Sequence, residues 1–160
     1  MSYWQLNEDQ RSSFMGRCFR FGTIDGPQEL YSFSSHSDRP TKPDRMTSGR
    51  LEPMYFMTKA NLMQAVRGTS RSSPMNVFEL VRQGVALCED WNDMRWMFLL
   101  DLPAGMSVEA WFGIAKFQPR RAARTYIEAQ SLSGGWLQYI VELNQQSLWL
   151  LRDPVRTGVS

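Results

Sequence analysis

Three arginines, Arg120, Arg121 and Arg124, stand close together ahead of a carboxylate and an amide, Glu128 and Gln130, in a chain of 160 residues. A guanidinium is a planar fork that matches phosphate oxygens in pairs, so this stretch permits a phosphate-bearing ligand or partner; a solvated loop has the same composition. Six Trp bring the aromatic share to 12%. Such rings fill a core and equally wall a site for planar ligands. Thr47-Ser-Gly-Arg50 has the residues of a small anion nest or of a plain turn. The one histidine, His36, lies in a Ser-rich loop with no Cys or acid at useful spacing, which argues against a nucleophilic triad. Cys18 and Cys88 are far apart and no CxxC occurs, which argues against structural zinc and a disulfide framework.

These side chains need elements to hold them. With 42% hydrophobic and 21% charged residues the composition is that of one globular domain over 1–160, with enough chain to bury a core. Residues 1–15 read as an N-terminal helix or arm, and the alternation in Arg17-Cys-Phe-Arg-Phe21 reads as a strand closed by Gly22. Residues 23–53 hold four of the eight prolines and read as a long loop. Met54 to Met57 is a strand running directly into a helix from Lys59 to Val66, and Val77, Leu80, Val81 and Val85 mark a second helix. Trp96 to Leu102 and Val108 to Phe117 read as strands. Ile114 to Ser133 reads as a polar loop carrying Glu128, expected to act as a lid. Trp136 to Leu143 and Ser147 to Leu151 read as a terminal hairpin. The class is α+β, with a mostly antiparallel sheet and helices in the N-terminal half.

Three of these segments, taken in order, resemble the cholera-toxin-like branch of the mono-ADP-ribosyltransferases. Phe19-Arg20 is similar to the family's aromatic-Arg pair on its first strand. Tyr55-Phe-Met-Thr-Lys-Ala-Asn-Leu is similar in layout to its Ser-Thr-Ser strand, with Thr58 at the central Thr and Met57 and Lys59 at the serines. Tyr126 to Gly135 is similar to the loop that carries its Glu. Ser48-Gly49-Arg50 and Tyr55 also resemble the RES-domain toxins that degrade NAD. The resemblance implies a split antiparallel sheet, NAD as substrate and no metal.

It further implies that the nicotinamide–ribose bond is broken and that Glu128 stabilises the positive charge left on the ribose, with Gln130 as the alternative key residue. Arg20 would hold the pyrophosphate, Thr58 would position the carboxylate, and Tyr55 or Trp111 would stack on nicotinamide. Each also has an ordinary use: Glu128 as a solvated carboxylate, Arg20 as an outward strand residue, Thr58 as a helix N-cap. The acceptor implied is a macromolecule, protein or nucleic acid, in a toxin or effector with a cognate inhibitor as a further partner. A non-enzymatic effector or immunity-like protein, or an NAD glycohydrolase, is the alternative. The net charge of +2 does not by itself point to nucleic acid. With no apolar run of membrane-spanning length and no basic-then-apolar start, the sequence reads as cytoplasmic, with export lacking a cleaved signal also open.

Overall fold

A reciprocal cap opens the first described element. Asn7 Oδ1 accepts from the Gln10 amide at 2.8 Å and Gln10 Oε1 accepts from the Asn7 amide at 2.9 Å, satisfying two backbone donors that a helix start leaves unpaired. This begins helix α1 (Glu8–Ser12). The computed structural model describes residues 5–39, 53–68, 77–87, 92–122, 125–144 and 147–158, with the backbone alone for residues 68, 120–122 and 125–131. After a 3-10 turn at Met15–Arg17 come strands β1 (Arg20–Asp25), β2 (Gln28–Ser34) and β3 (Met54–Thr58). Helices α2 (Lys59–Gly68) and α3 (Val77–Val85) follow. Then come β4 (Trp96–Leu102), β5 (Ser107–Ile114), β6 (Gln118–Ala122), β7 (Thr125–Leu132) and β8 (Leu137–Val141). A 3-10 turn at Leu148–Leu150 and the short β9 (Val155–Arg156) complete the order.

Seven strands form one antiparallel sheet in the order β1-β5-β8-β3-β2-β4-β9, and β6 and β7 form a separate hairpin. The sheet has to curl. Strands β1 and β2 are four rungs apart, which is about 19 Å in a flat sheet. Only Gly26 and Pro27 join them, a link that spans at most about 11 Å. Gly26 is pinned there, its amide donating to the Met106 carbonyl at 2.8 Å in the link between β4 and β5.

Curling gives an inner and an outer face, because successive side chains alternate. Inside are Ile24, Leu30, Phe56, Phe98, Leu100, Leu102, Val108, Ala110 and Val141, covered by Leu143, Leu150 and Leu151 from the C-terminal segment. Outside, α2 and α3 bury Leu62, Ala65 and Val81 against Phe33, Met57 and Met94. The N-terminal segment lays Leu6 and Phe14 on Trp111 and Ile140. Each fully buried aliphatic or aromatic side chain contributes about 1.5–3 kcal/mol, so the three clusters together outweigh any surface pair.

The α+β class, the antiparallel sheet and both helix starts are as the sequence led one to expect. Several boundaries differ, the strand expected over Val108 to Phe117 ending at Ile114 among them. The first strand begins at Arg20 rather than Arg17 and runs through Gly22 to Asp25. The loop expected over 23–53 contains β2, whose Leu30, Ser32 and Ser34 alternate with Tyr31 and Phe33. The lid loop expected over 114–133 is instead the β6–β7 hairpin. The C-terminal hairpin is absent: after β8 the chain turns at Asn144, and Leu148–Leu150 coil into a 3-10 turn that puts Leu150 and Leu151 into the inner core. No described helix is long and apolar enough to cross a membrane.

Candidate functional site

Strands β2 and β3 pair at two positions only, Leu30 with Thr58 and Tyr31 with Met57. Beyond that rung β2 continues to Ser34 held on β4, where Ser34 meets Trp96, and β3 extends back to Met54 held on β8, where Met54 meets Val141. The sheet therefore opens like a wedge. A cavity of about 1130 Å³ fills the opening, with Ser32, Phe33 and Ser34 on one wall and Met54, Tyr55, Phe56 and Met57 on the other. Both faces of each strand reach it because the cavity passes through the gap.

The charged groups lie toward the mouth. Asp9 comes from α1, exposed His36 and Asp38 from the chain after β2, and Lys116 from the link between β5 and β6. Arg39 is tied to the C-terminal segment, where its guanidinium donates to the Leu151 carbonyl at 2.9 Å and pairs with Asp153. Deeper in, Ser32 is 4% exposed, and Phe56 and Phe98 are 1% exposed. Gln138 of β8, also buried, donates from Nε2 to the Ser13 carbonyl and Oγ, both at 3.2 Å, and Ser13 Oγ donates to the Gln10 carbonyl at 2.6 Å. This chain of bonds fastens α1 to β8 beside the cleft. Burial by the cleft walls raises the Tyr55 phenol above its ordinary pKa; the hydrogen bond with Ser13 opposes that shift and the nearby Asp9 charge adds to it.

Of the residues expected at a site, Tyr55 lines the cleft. Trp111 does not. It is 8% exposed, edge-on to Phe19 at 5.4 Å and to Phe21 at 5.0 Å, so its ring is committed to the outer core beneath the N-terminal segment and is not placed to stack on a ligand. Arg20 stands exposed on the edge strand, paired with Phe112, on the face opposite Tyr55 and outside the cavity lining. Thr58 sits on the rung one step back from the split, opposite Leu30, where its Oγ1 accepts from the Asn61 amide at 3.1 Å and caps α2.

Glu128 and Gln130 are on strand β7 rather than a loop; their side chains lie outside the described residues, as do those of Arg120, Arg121 and Arg124 and the whole of 47–50. The root of their hairpin is fixed. Gly134 and Ser133 amides donate to the Gln83 carbonyl and Oε1 at 2.7 and 3.1 Å, and the Trp136 amide donates to the Gly84 carbonyl at 3.1 Å. A side chain at position 84 would meet the Trp136 ring at 2.1 Å, so glycine is what lets α3 and this segment touch. Both glycines of the pair expected to break the chain do so with left-handed backbones, φ 66° at Gly134 and 96° at Gly135. Leu132 at the base packs on Ala86, itself a cleft residue, and Glu128 lies about 13 Å further along the strand.

Ser32, Ser34, Lys116 and Gln138 line the cleft although their sequence context gave no motif. Period-2 alternation over 30–34 is the signal that could have found the two serines. Among the described residues no three His, Cys, Asp or Glu side chains gather as metal ligands. No protein-family model, no curated protein and no solved structure matches this chain.

Proposed function

We propose that the cleft between β2 and β3 binds NAD and that the protein is an ADP-ribosyltransferase-type enzyme, passing ADP-ribose to a macromolecular acceptor. The observation that carries this reading is the wedge in the sheet: an open cavity of about 1130 Å³ walled by Tyr55 and built where two strands part. Its volume suits a ligand of dinucleotide size. Its chemistry is graded to match, with an apolar deep end, a phenol on the wall, and Lys116 and Arg39 toward the mouth where a pyrophosphate would find cations. That moves the pyrophosphate contact away from Arg20. As neutral nicotinamide leaves, positive charge grows on the ribose; Glu128, carried on β7 from a root that borders the cleft, supplies the stabilising carboxylate.

A second reading, a binding protein without turnover, draws support from the positions of Arg20 and Trp111 outside the cleft. Nicotinamide release from NAD by the purified protein, with and without cell extract as a source of acceptor, separates the two. The enzyme reading expects release, and expects Glu128→Gln to reduce it by about two powers of ten or more with folding retained, because the amide keeps the shape and loses the charge. No release in either condition ends that reading. Labelled ADP-ribose recovered on macromolecules identifies a transferase; label recovered free in solution identifies a glycohydrolase.

A further inference from the structure

The chain's excess of positive charge sits on one short stretch. Lys116 to Ala122 holds Lys116, Arg120 and Arg121 and no acid, whereas the whole chain carries only +2, so the remainder is net acidic. This stretch leaves the mouth of the cleft at Lys116 and becomes β6, which pairs with β7 alone in the two-stranded ribbon. β7 brings one acid, Glu128, and does not cancel the excess. The pairing slips between Pro119 and Arg121, at Arg120 itself, and irregularities of this kind recur beside active sites. An open ring adjoins the cations. Phe117 is 58% exposed, and its Cα lies within about 11 Å of that of Arg120, the reach of three extended residues. Guanidinium groups recognise phosphates, and a ring open to solvent takes whatever stacks on it. A polynucleotide offers both, whereas an acidic peptide offers the charge alone. In a duplex the base faces are already stacked on their neighbours, so the ring favours a single strand.

We infer that β6 and the Phe117 segment leading into it dock a single-stranded polynucleotide, with Arg120 and Arg121 on its phosphates and a base stacked on Phe117. The docking stands apart from the NAD reading. Only its consequence for the acceptor rests on that reading: the strand is led to the cleft mouth at Lys116, so the macromolecule that receives ADP-ribose is a nucleic acid.

Fluorescence anisotropy with labelled oligo(dT) and oligo(U) of about 20 nucleotides, longer than one such surface needs, tests this on the whole protein without NAD. Binding is expected to weaken with salt at a log–log slope of about −1.4 or steeper, the value for two phosphates neutralised on a single strand. Replacing Arg120 and Arg121 together by Ala should flatten that slope by about 1.4. Phe117→Ala should weaken binding about tenfold at unchanged slope, and Phe117→Trp should keep it. Trp149→Ala, which removes an equally open ring from the C-terminal 3-10 turn, should leave binding as it was. A preference for one oligonucleotide identifies the strand as RNA or DNA. No binding of either overturns the inference. So does tighter binding of a duplex of the same length, or equal binding of polyglutamate, which means a general polyanion surface. Full affinity in Phe117→Ala overturns it as well, as does an equal loss in Trp149→Ala. Should Phe117→Ala fail to fold, the arginine pair decides, and an unchanged salt slope there overturns the docking. None of these outcomes depends on nicotinamide release, so the docking and the NAD reading fail separately.

Discussion

Lys116 and Arg20 carry the same charge, and of the two only Lys116 lines the cleft. Lys116→Ala is therefore expected to weaken NAD binding by about tenfold, whereas Arg20→Ala leaves it within twofold, as measured by calorimetric titration. The reverse order would return the pyrophosphate to the edge strand. Trp111 shows why a side chain's type did not locate its role. Any of six Trp has the ring to stack on a ligand. Which of them is free to do so depends on strand parity and on what covers that face, here Phe14, Phe19 and Phe21. Tyr55 lies on the same face, two strands from Trp111 with Ile140 between, and escapes this fate because its neighbouring strand has parted from it.

Strand β3 and helix α2 meet at Thr58, whose hydroxyl holds the Asn61 amide. Thr58→Ala is expected to cost about 1 kcal/mol in urea unfolding, the usual loss of an N-cap. Nicotinamide release should stay unchanged in that variant; a large fall at equal stability would restore the role of orienting Glu128. This junction was legible because Met54 to Met57 is apolar throughout and the spacing of Leu62, Met63 and Val66 is helical, two periods that switch at one residue. The β6–β7 hairpin was not. It pairs with itself outside the seven-stranded sheet, and its polar composition reads as loop. The C-terminal 3-10 turn was missed for the opposite reason. A short apolar run such as Leu148-Trp-Leu-Leu151 has the composition of a strand, and its use as a plug for the inner face follows only from the curl of the sheet.

Across the whole molecule, ion pairs tie one segment to another. The hydrogen bond from Arg17 lowers the Glu8 pKa, and that from Lys59, with help from Tyr31, lowers that of Glu29. Carboxylates depressed in the folded state bind fewer protons than the unfolded chain in mild acid. Their contribution is present above the ordinary carboxylate range and is lost as pH falls through the lower folded values. Thermal melts from pH 7 to pH 3 should therefore show Tm falling below about pH 4.5, with a smaller drop in high salt, since exposed pairs are screened. A Tm that holds flat to pH 3 would deny these pairs any role. The strand order carries a kinetic meaning as well. β8 lies between β5 and β3, so without it the sheet falls into two parts, β1 with β5 and β3 with β2, β4 and β9. A nascent chain that has reached residue 136 holds most of the strands and still cannot join them. The rung from Met54 to Val141 closes a loop of more than half the chain, and such distant pairing places folding toward the slow, high-contact-order end of the range. β8 is the keystone of the sheet, and the wedge that forms the cleft has one of its two walls hung on the last long strand to be made.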